Sequence, residues 1–150
     1  MKRIVLALLL SSIGLVAQAT DPLAGAWEHT GGRNFTTNTD TQVSNPPLHV
    51  VYGNGHYIQF VAPANRQRVG KPLSQMTKEE LTARFTGVQG HYGTYRVEGN
   101  KVIRKIVSAA DPRNEGKEDI FEFRIDGDSL IMKGTTPIGE PIENRYKRLK

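Results

Sequence analysis

The chain has 150 residues, no Cys and a formal net charge of +5. That length holds one domain with a real core and is short for two. Without Cys there is no disulfide, thiol nucleophile or thiolate metal site, so folding must rest on burial and strand pairing.

Lys2 and Arg3 open what reads as a secretory leader. Ile4 to Val16 is mostly apolar, and Ala17-Gln18-Ala19 has the small-x-small pattern of a cleavage site. The apolar run is shorter than the ~20 residues a spanning helix needs, and no Cys stands at the cleavage point to carry a lipid. Residues 1–19 are therefore expected to be a signal peptide. The mature domain, 20–150, would begin at Thr20 and be periplasmic or secreted, with no stable membrane anchor. Losing Lys2 and Arg3 lowers the net charge by two, to an ordinary surface value. The basic end (Arg145, Lys147, Arg148, Lys150) lies on an alternating strand pattern, where long cations coat a solvated face, so no nucleic-acid partner is expected.

Most of the remaining chain has the period-two pattern of strands. After an opening segment around Trp27 comes a polar stretch, Asn34 to Pro47, read as a loop. Its Asn34-Phe35-Thr36 matches the short glycosylation pattern, which carries little meaning behind a bacterial-style leader. Leu48, Val50 and Tyr52 then share one face of a strand. His56 to Val61 follows after Gly53-Asn54-Gly55, and Ala62 to Ser74 is a second long loop carrying Arg66, Arg68 and Lys71. Thr77-Lys78-Glu79-Glu80 is a capping box, and Leu81, Phe85 and Val88 recur at helical spacing. A single helix of about three turns is expected, its apolar stripe laid on a neighbouring surface. Further strands follow at Gly93 to Val97, Val102 to Val107, Phe121 to Ile125, Leu130 to Lys133 and Ile142 to Lys147. Gly99-Asn100 and Asp126-Gly127-Asp128-Ser129 supply hairpin turns. About eight strands joined mostly by hairpins predict an all-β fold: an antiparallel up-and-down barrel with one inserted α-helix.

Several short motifs, in this order, resemble the bacterial lipocalin-like domain family of calycin-type β-barrels. They are Gly25-Ala26-Trp27 at the opening, Gly93-Thr94-Tyr95 after the helix, Phe121 and Phe123 following Gly116, Gly127-Asp128-Ser129-Leu130, and a last strand ending in Lys147-Arg148. Relatives often carry Trp near the position of Tyr146, where this chain departs. The resemblance spans about Leu23 to Leu149. It implies a barrel with no established reaction, and barrel closure by Arg148 stacking over Trp27.

Chemistry-bearing motifs are sparse. No nucleophile elbow, Walker loop or dinucleotide fingerprint is present, so no catalytic residue and no cofactor is assigned. His49 and His56 belong to one hairpin. A three-residue turn sets Tyr52 against His56 and His49 against Gln59, whereas a two-residue Asn54-Gly55 turn sets His49 against Phe60. Neither register makes the two histidines a cross-strand pair. The relation of His29 to His91 is not legible, and no metal site is assigned. Glu115, Glu118 and Asp119 read as a solvated loop cluster. The same-face aromatics and aliphatics are the candidate wall of a ligand cavity: Ile58 with Phe60, Phe121 with Phe123, and the hydroxyl-bearing Tyr52, Tyr95 and Tyr146. The expected function is binding of a small, largely apolar molecule in the barrel of an exported protein. The alternatives are a barrel enzyme of isomerase or cyclase type, and a protein-interaction module with a filled barrel.

Overall fold

The computed structural model of the chain describes residues 21–64, 70–136 and 139–150. Residues 1–19, expected to be a leader, and Arg66 and Arg68 of the second loop, lie outside the described residues. Among the described residues nine strands are formed: β1 (Gly25–Asn34), β2 (Thr39–Thr41), β3 (His49–Gly53), β4 (His56–Val61), β5 (Gln89–Glu98), β6 (Lys101–Ala109), β7 (Glu118–Asp126), β8 (Ser129–Thr135) and β9 (Pro141–Arg148). One α-helix, α1 (Lys78–Phe85), is inserted between β4 and β5.

Sequential strands from β3 to β9 pair antiparallel, β1 pairs with β3, and β1 also pairs with β9. That last ladder closes the sheet into an eight-stranded barrel and leaves no long free edge. Part of the stretch read as a loop contributes β2, which pairs with the far end of β1 from Gly32 to Asn34. Because β3 occupies the other end of the same edge of β1, β2 extends the wall without entering the closed ring.

The β3–β4 turn resolves the two registers left open by the sequence. Asn54 and Gly55 both have positive φ, 50° and 73°, as a two-residue hairpin turn matching strand twist requires. Tyr52 therefore pairs with Tyr57, and His49 with Phe60. Directly opposed residues share a face, so Tyr57, Gln59 and Val61 point inward, and Ile58 and Phe60 point outward.

The helix keeps its capping box: Thr77 accepts from the Glu80 backbone N–H, and the Glu80 carboxylate accepts from that of Thr77. It is shorter than expected, with eight residues, none of them buried. Phe85 stays half exposed, so the expected stripe is not laid against the barrel. A helix this short draws little stability from its own ladder, and its cap and the Lys71–Glu80 ion pair at 2.7 Å hold its start.

One half of the barrel is packed. Leu23, Trp27, Val50, Tyr52, Val102, Leu130 and Met132 are essentially inaccessible, with Val97, Phe123 and Ile125 packed against them. The Arg148 guanidinium lies 4.0 Å from the centroid of the Trp27 ring. It donates to the carbonyls of Ala24 and Pro22, while the Trp27 indole N–H donates to the Leu23 carbonyl. Tyr95 is hydrogen-bonded to Asp21 at the same end.

Candidate functional site

The other half of the barrel is open. It holds a cavity of about 560 Å³ bordered by the Thr41–Asn45 segment, Pro63, Gly87 and Gln89. Its apolar wall is Leu48, Val61, Phe121 and Ile142, and its polar lining comprises His29, Gln59, His91, Arg104, Asp119 and Asn144. The strand registers explain the grouping. Gln59 pairs with His91, Arg104 with Asp119, and His29 with Tyr146, so each pair projects from neighbouring strands onto the inner face. The β1–β9 ladder bulges between His29 and Gly31, a local re-aiming of side chains common beside binding sites.

At the base of the cavity Arg104 and Asp119 form a bidentate pair, Nε to Oδ1 and Nη2 to Oδ2, both 2.7 Å. They are 4% and 2% exposed. The remaining Arg104 nitrogen, Nη1, donates to Gln59 Oε1 at 3.1 Å and to the Tyr52 hydroxyl at 3.3 Å. The guanidinium also sits between the Phe121 and Tyr57 rings, 4.8 and 5.0 Å from their centroids. A buried charge is tolerable only with its partner present and its donors largely satisfied, and here four of the five Arg104 N–H groups donate to Asp119, Gln59 or Tyr52.

Two neutral histidines face the same space. The Tyr57 hydroxyl and His91 Nδ1 share a hydrogen bond of 2.9 Å. Burial, and then the Arg104 charge, lower the His91 pKa to about 4. Burial also lowers that of His29, against hydrogen bonds to Asn144 and the Gly31 backbone. His29 packs edge-on against the Tyr146 ring at 5.4 Å. Its Nε2 is buried and has no hydrogen-bond partner in the protein, and the same holds for Ser44 Oγ on the cavity border. Among the described residues, no group of three or more His, Asp or Glu side chains converges to hold a metal ion.

The neutral state of His91 sets an acid limit on stability. Between its ordinary value of 6.5 and about 4, the unfolded chain takes up a proton that the folded chain refuses. Stability is therefore full above pH 6.5 and falls as the pH drops toward 4, by about 2 kcal/mol after allowance for partial exposure. His29 adds to the fall in the same direction. Urea unfolding as a function of pH checks this: His91→Gln is expected to flatten the profile over that interval.

The expected wall residues divide three ways. Phe121 and Tyr146 line the cavity. Tyr52, Tyr95 and Phe123 belong to the packed half, where Tyr52 touches the site through its hydroxyl on Arg104. Ile58 and Phe60 are each 53% exposed on the outer wall and do not line the barrel. The hydrophobic pattern on β4 occupies both faces, and the one-residue difference in turn register exchanges them. Asp119, read as part of a solvated loop, is on β7 and buried. Arg104 is a central member of the site that sequence reasoning missed, as it missed His29, Gln59, His91 and Asn144. A signal was present: Val102, Arg104 and Ile106 alternate on one face of β6, as Asp119, Phe121 and Phe123 do on β7, which leaves opposite charges at apolar-face positions of adjacent strands.

No family model matches the chain, and no curated protein does. Among solved structures, a lipocalin-like protein from Bacteroides uniformis is similar, with 14% identity over 85% of this chain and 98% of that one, at a TM-score of 0.52. A redesigned β-barrel gives a TM-score of 0.53 at 10% identity, over 85% of this chain and 92% of that one. At such identities the likeness is one of fold: a closed, antiparallel, lipocalin-like barrel of calycin type.

Proposed function

We propose that this chain is an exported binding protein that holds a small, largely apolar molecule in the open half of its barrel. The observation that carries the reading is the cavity of about 560 Å³ behind a rigid, packed half. Its size and its apolar wall with a few convergent polar groups are those of small-molecule sites. Export is supported by the leader pattern at residues 1–19. Among the described residues no helix is long and apolar enough to cross a membrane. Protein recovered outside the cytoplasm is expected to begin at Thr20 on amino-terminal sequencing.

The polar cluster is what a catalytic reading would use, but its state favours binding. Both Asp119 oxygens are held by Arg104, and His91, with its pKa near 4, is a weak base at neutral pH, where proton-transfer groups are most effective with a pKa close to 7. The open cavity likewise favours binding over an interaction module with a filled barrel.

Apolar surface buried against the wall gains about 25 cal/mol per Å², and part of this is lost to immobilisation, so affinity of roughly micromolar order is expected. The test is a titration with a neutral solvatochromic dye such as Nile red, together with native mass spectrometry of protein from its own host. Leu48→Trp fills the cavity from the wall and is expected to weaken dye binding at least tenfold without unfolding the domain. A folded wild-type protein that carries nothing and binds nothing sinks the reading.

A further inference from the structure

The polar lining contains one group that a bound molecule can reach and whose hydrogen-bonding character the surrounding contacts fix. Arg104 and Asp119 are 4% and 2% exposed and are engaged chiefly with each other. His29 Nε2 is buried. His91 directs Nδ1 to the Tyr57 hydroxyl, and either atom of that bond can carry the proton, so neither ring nitrogen has a set role.

Gln59 differs from all of these. It stands on the inner face of β4 between Tyr57 and Val61 and borders the cavity. Its amide oxygen accepts from Arg104 Nη1 at 3.1 Å. A guanidinium has donors and no acceptor, so the amide cannot be turned the other way: the oxygen faces Arg104 and Nε2 is the outer atom. Arg104 is in turn held by its two 2.7 Å contacts with Asp119. Gln59 Nε2 carries two N–H groups. It has no partner among the described residues and, unlike His29 Nε2, is not buried. An apolar ligand that displaced water from these N–H groups without replacing its bond would leave a donor unpaired in a dry site, which is costly.

Resting on the binding function proposed above, we infer that the ligand carries a carbonyl oxygen that accepts a hydrogen bond from Gln59 Nε2, with its apolar body against Leu48, Val61 and Ile142. A carbonyl meets the donor without bringing an O–H that needs an acceptor of its own beside that apolar wall. The Arg104–Asp119 pair is the positioning element: by holding the amide oxygen it makes this point of the cavity a donor.

Two uncharged probes of nearly equal shape separate the polar contact from apolar burial. They are 2-undecanone, labelled with carbon-13 at the carbonyl, and 2-methyl-1-undecene, in which a methylene group replaces the oxygen. Each competes with Nile red for the wild-type protein, Gln59→Glu and Gln59→Met at pH 7.5. Glutamate keeps an oxygen for Arg104 and exchanges the N–H donors for a second acceptor. Methionine removes the donors and adds no charge. In both variants the affinity for the ketone relative to the alkene is expected to fall about tenfold. The carbonyl resonance of the ketone bound to the wild type is expected downfield of its position in hexane, as for a hydrogen-bonded carbonyl, and to move back toward that position in Gln59→Met. A hydrocarbon-like resonance in the wild-type complex would overturn the inference and leave the binding reading intact. Equal losses of ketone and alkene affinity in the folded variants would do the same. Failure of the dye and both probes to bind the wild type would overturn the binding function itself. The wild-type resonance needs no variant, so poor folding of the Gln59 variants does not spare the inference.

Discussion

Arg104→Met is expected to destabilise the domain by about 3–5 kcal/mol, the usual cost of leaving one half of a buried ion pair alone. Both Arg104–Asp119 contacts are 2.7 Å and both side chains are within a few per cent of complete burial. Methionine replaces much of the volume, so the loss reports the stranded Asp119 charge more than a cavity. One consequence distinguishes this cause from simple misfit. The double variant Arg104→Met/Asp119→Leu, which removes both charges, should recover most of the loss. Urea unfolding of the two single variants and the double variant provides the cycle. A loss below about 1 kcal/mol for Arg104→Met would instead mean a solvated pair of the kind that contributes little.

Trp27→Ala should be of similar size, about 3–5 kcal/mol, for a different reason. Trp27 is fully buried at the packed end, and its truncation leaves a cavity that neighbours close only in part. It also strands the Leu23 carbonyl that its N–H serves and the Arg148 guanidinium above its face. Arg148→Ala should cost less, because Arg148 remains partly solvated and its loss opens no deep void. The two changes should be coupled by roughly 0.5–2 kcal/mol, the range for a guanidinium over an aromatic ring. Thermal and urea unfolding of the four proteins in this cycle give the coupling directly, and strict additivity would show that the stacking contributes nothing.

What the amino-acid sequence determined alone was local. Period-two alternation located the strands of the ring, the capping box placed the start of α1, and turn glycines marked the hairpins, because each is a property of a few adjacent residues acting on backbone conformation. The succession of hairpins implied a closed antiparallel barrel, since consecutive strands pair with their neighbours in space. Helix length was less legible: the stripe Leu81, Phe85, Val88 suggested a longer element, and the chain leaves the helix after Phe85. The candidate site was legible only in part. Phe121 and Tyr146 were found because they are apolar-face residues of strands whose inner face is unambiguous. Ile58 and Phe60 were misplaced because β4 is apolar on both sides, and only the Asn54-Gly55 turn conformation decides which side is inner. The division into a packed half and an open half, and the meeting of His29 with His91, Arg104 and Asp119, belonged to the tertiary structure. Those residues come from β1, β5, β6 and β7, and only barrel closure through the β1–β9 ladder brings β1 round to face the others. Alternation tells which residues share a face of one strand. It carries no information on the distance across a barrel, and that distance is what turns four separated polar residues into one site.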